Sequence, residues 1–84
     1  MKAEPVAVVT GASRGLGRYA ALSFAEAGYL VALCGRTDDD LAEVERDIQD
    51  VGGWAIHRAL DVRDFDAVRD WIGYVRENLG RVDV

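Results

Sequence analysis

The sequence predicts an α/β fold, a parallel sheet with helices laid against it in the order β-α-β-α-β-α. Three observations predict it. Val6-Ala7-Val8-Val9 is a continuous, mostly β-branched apolar run, the pattern of a strand buried on both faces of a parallel sheet. Three later segments carry apolar residues at helical spacing, and two further strand-like runs lie between them. The connections are short, which makes successive strands parallel neighbours joined by right-handed crossovers.

The first strand leads into Thr10-Gly11-Ala12-Ser13-Arg14-Gly15-Leu16-Gly17. A helix follows from Leu16 to Ala27, with Ala20, Ala21, Phe24 and Ala25 on one stripe and Gly28 as a left-handed stop. Tyr29 to Cys34 is the second strand. Thr37 with Asp40 three residues on forms an approximate capping box, and the helix behind it carries Leu41, Val44, Ile48 and Val51 up to Gly52-Gly53. Trp54 to Leu60 is a third strand, interrupted by His57 and Arg58 and closed by Asp61-Val62. Asp64 is placed to cap a third helix, whose Val68, Trp71, Ile72, Val75 and Leu79 share one face before Gly80 stops it. Val82-Asp83-Val84 has the pattern of a fourth strand that has barely begun.

The chain has 84 residues and a formal net charge of -5, with half its residues hydrophobic and 30% charged. That is a soluble globular composition, without the ~18-residue apolar run that a membrane span requires. The negative balance argues against nonspecific binding to nucleic acid or to an anionic membrane. Met1-Lys2-Ala3-Glu4-Pro5 leads directly into the first strand without a signal-peptide pattern, so a cytoplasmic setting is expected. The single Cys34 has no second thiol for a disulfide or a metal site and reads as a buried, inert group.

The Thr10–Gly17 loop is the one segment whose residue types demand a particular ligand. One glycine makes the strand-to-loop turn, another lets backbone approach a pyrophosphate, and the third lets the helix lie close to the strand. The loop ends at a helix amino terminus, where unpaired N–H groups and the positive end of the helix dipole attract an anion. With no repeat or linker dividing the chain, residues 1–84 are expected to form one dinucleotide-binding domain. Its architecture is a three-layer half of a Rossmann fold, truncated before the fourth strand is complete.

Thr10, Gly11, Gly15 and Gly17 match the Thr-Gly-x-x-x-Gly-x-Gly loop of the short-chain dehydrogenase/reductase family, which the chain resembles along its whole length. Asp61-Val62 falls where that family sets an Asp and a small apolar residue against the adenine ring, and Gly80 to Val84 resembles the lead-in to its fourth strand. The resemblance implies an oxidoreductase that moves a hydride between a nicotinamide cofactor and a carbonyl or alcohol. It covers only about the first third of a family member. The family's Asn-Ala-Gly segment and catalytic Tyr-x-x-x-Lys pair are absent, and Lys2 is the only lysine, so no catalytic residue is assigned and these 84 residues alone are expected to be inactive.

The family separates NAD from NADP users at the end of the second strand, where an acid serves the adenosine ribose of NAD. Gly35 stands there, Arg36 follows it, and Arg14 precedes the second glycine of the loop. This resembles the NADP-preferring pattern, and two charge-assisted bonds would favour NADP by roughly a hundredfold. The expected cofactor set is therefore Gly11, Ser13, Arg14, Gly15, Leu16, Gly17, Arg36, Asp61 and Val62 for NADP(H), with no metal. Both arginines also have a plain reading as solvated loop residues, and Asp61 one as a turn residue accepting backbone N–H groups.

Other features carry plainer readings. Asp38-Asp39-Asp40 suits a helix's first turn better than a metal site, and His57 has no partner at ligand spacing. Trp54 and Trp71 fall on apolar pattern positions and are expected in core or interface packing. A chain ending at Val84 is expected to expose the Val6–Val9 edge and part of Trp71 and Val75, and so to associate with copies of itself or with the remainder of a longer polypeptide. The alternative to an oxidoreductase part is a non-catalytic nucleotide-binding or self-associating module. A methyltransferase using S-adenosylmethionine is disfavoured, because that ligand offers no phosphate to the arginines.

Overall fold

A computed structural model describes residues 4–84. Six elements alternate: β1 (Val6–Thr10), α1 (Gly15–Glu26), β2 (Leu30–Gly35), α2 (Asp38–Asp50), β3 (Trp54–Ala59) and α3 (Phe65–Leu79). The three strands form one parallel sheet in the order β1-β2-β3, with Val6 opposite Leu30 and Leu30 opposite Trp54. Every boundary lies within a residue or so of its sequence-based position. Among the described residues no helix is long and apolar enough to cross a membrane.

The continuous apolar character of β1 and β2 follows from helices on both sides of the sheet. Val9, Val31, Leu33 and Ala55 pack against Ala21 and Ala25 of α1 and Leu41, Val44 and Ile48 of α2. Alternate residues face the other way, where Val6, Ala32 and Cys34 meet Trp71 and Val75 of α3. Cys34 is buried there, and burial pushes its thiol up from the ordinary range, consistent with an inert group.

Four expectations need correction. Trp71 and Val75 are 1% and 0% exposed rather than partly uncovered: both pack against Val6, Ala32 and Cys34, Tyr74 stacks on the Trp71 ring, and the Arg58 guanidinium of β3 sits 4.7 Å from its centroid. The β1 edge is partly occupied rather than open. The Val6 amide donates to Asp83 Oδ2 at 2.9 Å, the Val8 amide donates to the Val84 carbonyl at 2.9 Å, and the Asp83 amide donates back to the Val6 carbonyl. The final residues have thus begun the ladder expected of a fourth strand, and Val6, Ala7 and Val9 are all buried. Of the two settings expected for Trp54, the core is ruled out, since it is 43% exposed at the start of an edge strand. Thr37 does precede α2, but its side chain makes no capping bond.

Candidate functional site

The carboxyl ends of the parallel strands bring three loops side by side, the position at which open α/β sheets bind ligands. The Ala12 amide donates to the Cys34 carbonyl at 3.3 Å, and the Leu60 amide donates to the Gly35 carbonyl at 2.7 Å, which ties each loop to its neighbour. A cleft of about 510 Å³ lies between them. Gly11, Ser13 and Arg14 line it from the first loop, Gly35, Arg36 and Thr37 from the second, and Val62 from the third.

Two features of the first loop depend on glycine. Gly11 and Gly15 both adopt φ of 62°, the left-handed region that side chains resist. At Gly17 the constraint is proximity, since a Cβ there would overlap the Gly11 carbonyl oxygen. That contact brings the first turn of α1 against the loop. The α1 N-cap is Arg14, in extended conformation, and it makes no side-chain capping bond. No acid occupies the first turn either. The amides at the head of α1 are left to a ligand or to water.

The site is cationic at its rim. The Arg14 side chain is 84% exposed, with its Nη2 4.0 Å from Asp40 Oδ2, and Arg36 is exposed beside it. Gly35 is buried, and a Cβ there would meet Leu41 Cδ2 at 3.4 Å, so glycine keeps that wall of the cleft bare.

Asp61 adjoins the cleft rather than lining it, in a cavity of about 340 Å³ shared with Arg36, Ala59 and Leu60. Its carboxylate is gripped by Arg63. The Arg63 backbone amide donates to Oδ1 at 2.9 Å, Nε donates to Oδ1 at 3.1 Å, and Nη2 donates to Oδ2 at 2.9 Å. Those bonds, with a smaller contribution from the Arg36 charge, hold the Asp61 carboxyl at about 2, so near neutral pH it is an acceptor only.

The structure therefore brings Gly11, Ser13, Arg14, Arg36 and Val62 together, with Asp61 next door. Gly15, Leu16 and Gly17, expected to act through their backbone, stand at the head of α1 beside the cleft rather than in its lining, and the 85% exposed Leu16 side chain lines an apolar groove with Tyr19 and Phe24 on the outside of α1. His57 lines none of the cleft. Its Nδ1 lies 2.8 Å from Glu45 Oε1 and its Nε2 3.2 Å from Asp38 Oδ1. Two residues escaped sequence reasoning. Thr37 has the local pattern of a cap but lines the cleft, and Arg63 closes a ring with Asp61 that the Asp-x-Arg spacing permits.

A family model described as short chain dehydrogenase matches residues 5–84. The chain is 42% identical over 80 residues to human dehydrogenase/reductase SDR family member 1, covering 94% of this chain and 26% of that protein. It is 33% identical to a 3beta-hydroxysteroid dehydrogenase of Mediterraneibacter gnavus, covering 96% of this chain and 29% of that protein. Among solved structures, a metagenomic short-chain oxidoreductase in complex with NADP superposes with a TM-score of 0.90 at 41% identity, covering 95% of this chain and 36% of that one. Carveol dehydrogenase from Mycobacterium avium in complex with NAD superposes at 0.88 with 31% identity, covering 96% of this chain and 34% of that one. The chain thus spans about a quarter to a third of the proteins it matches, and it belongs to the short-chain dehydrogenase family as the N-terminal part of such a protein.

Proposed function

We propose that this chain binds NADP(H) as the cofactor-holding portion of an oxidoreductase that exchanges hydride between NADP(H) and a carbonyl or alcohol. The observation that carries this reading is the head of α1, where amides left without cap or acid meet a glycine-lined cleft flanked by two arginines. The residues present fit that group. Backbone amides of Gly15 to Gly17 and the Ser13 hydroxyl are suited to a pyrophosphate, a dianion at the positive end of a helix. Leu16 contributes its amide to that set rather than its side chain.

Arg14 and Arg36 are suited to the 2′-phosphate, with the Thr37 hydroxyl as a third donor, since a guanidinium offers a planar fork of N–H groups. The bare wall at Gly35 lacks the acid that would repel such a phosphate. Val62 gives the adenine ring an apolar surface, and the ionised Asp61 is available to accept a bond from its amino group. When bound, the cofactor supplies the hydride. The proton-transferring Tyr-x-x-x-Lys pair of the family is not among these 84 residues, so this chain's share is binding and orientation.

Solved relatives with NADP and with NAD both superpose closely, so the fold itself leaves the choice of cofactor to side chains. Calorimetric titration of the Arg36→Asp variant tests the assignment. The expected result is about a ten- to hundredfold loss of NADP affinity relative to NAD, the range of one charge-assisted bond replaced by a repulsion. An unchanged ratio overturns it.

A further inference from the structure

We propose that Asp40 is a specificity-determining residue of this site, which competes with the 2′-phosphate for Arg14 and so weakens the preference for NADP(H) over NAD(H). The inference rests on the NADP reading above. Arg14 Nη2 stands 4.0 Å from Asp40 Oδ2, across a cavity of about 300 Å³ next to the cleft. Asp40 lies in the first turn of α2, three residues beyond Thr37 of the cleft wall.

Among the described residues Asp40 has no other cation within ion-pair distance. Arg18, in the same cavity, is paired with Glu43 at 3.5 Å and with Asp47. Arg36 enters no ion pair among the described residues, although its charge acts on the neighbouring Asp61, so of the two cleft arginines only Arg14 has a carboxylate within ion-pair distance. At 4.0 Å Arg14 and Asp40 attract as charges without a hydrogen bond, and a phosphate on Arg14 competes for that same guanidinium. If it bridges both, their negative charges face each other. Binding of a 2′-phosphate therefore has to displace Asp40 from Arg14 or tolerate its repulsion. A dinucleotide without that phosphate makes no such demand. Both side chains are solvent-accessible, 84% and 42% exposed, so screening keeps the effect modest.

Neutralising Asp40 should therefore favour one cofactor selectively. Titration of the chain with NADP+ and with NAD+ is run for wild type, Asp40→Asn, Asp39→Asn, Arg14→Ala and the Arg14→Ala/Asp40→Asn double variant, with circular dichroism confirming the helices of each. Asp40→Asn is expected to tighten NADP+ by about two- to fivefold and to leave NAD+ unchanged, the span of an exposed ion pair. Asp39→Asn makes the same change in net charge without the Arg14 contact, and its gain is expected to be smaller. In the Arg14→Ala background the Asp40→Asn gain is expected to vanish.

Equal tightening of both cofactors, an equal gain from Asp39→Asn, or a gain that survives Arg14→Ala overturns the proposal. The two readings fail separately. An Arg36→Asp variant with an unchanged NADP to NAD ratio removes the 2′-phosphate site itself. A shifted ratio there with no response to Asp40→Asn removes only the role of Asp40.

Discussion

Helix α3 opens at Asp64, whose carboxylate accepts the Ala67 amide at 3.1 Å, and Asp66 adds a second acid to its first turn. Helix α1 opens at Arg14, with no side chain on its amides and no acid in the turn that follows. The two starts differ by about 1 kcal/mol of capping, which α1 forgoes. Its stability comes instead from burial, since Ala21 and Ala25 pack into the core shared with α2. The difference separates two uses of one backbone feature. Where the helix only has to start, a carboxylate completes it, and where a phosphate is expected, the sequence supplies glycine and arginine. The head of α2 lies between these cases, with three acids in its first turn and a Thr37 that makes no capping bond and lines the cleft.

Substitution at either helix start tests this contrast. Gly17→Ala is the most damaging change, because the new Cβ overlaps the Gly11 carbonyl and pushes α1 off its loop. Overpacking of this kind costs about 1–3 kcal/mol, read as a lowered melting temperature, and cofactor affinity is expected to fall more than tenfold with it. Leu16→Asp converts the α1 start toward the α3 type without disturbing a core, because that side chain is 85% exposed. The acid should stabilise the free chain by about 0.3–1 kcal/mol through the helix dipole while weakening NADP+ by about tenfold. A Leu16→Asp chain that binds NADP+ as well as wild type breaks the contrast. Asp64→Ala is the converse and the smallest, with an expected loss of about 1 kcal/mol in thermal or urea unfolding and no change in NADP+ titration.

Much of this was legible in the sequence. The alternation of elements came from apolar periodicity, and the cleft-forming glycines and arginines from one loop and one strand end. Where structure and sequence pattern differ, the cause is packing between distant segments. Thr37 satisfies the local rule for a cap, yet its place on the cleft wall depends on loops more than 20 residues away in sequence. Trp54 and Trp71 both sit on apolar positions, but Trp71 acquires a cover from Arg58 and Tyr74 while Trp54, at the start of an edge strand, stays 43% exposed. The pairing of Asp83 and Val84 with Val6 and Val8 joins opposite ends of the chain, and no window of local sequence contains both.

By itself the sequence determined the order of strands and helices, the parallel sheet, the glycine loop and the kinship with short-chain dehydrogenases. These follow from short-range chemistry, namely side-chain period, turn residues and the steric freedom of glycine. Tertiary structure alone decided which residues share the cleft, that Arg14 faces Asp40 across a neighbouring cavity, and that the end of the chain lies along the first strand. Those outcomes depend on how separate elements pack, and burial and charge pairing are properties of the space between elements rather than of any one of them.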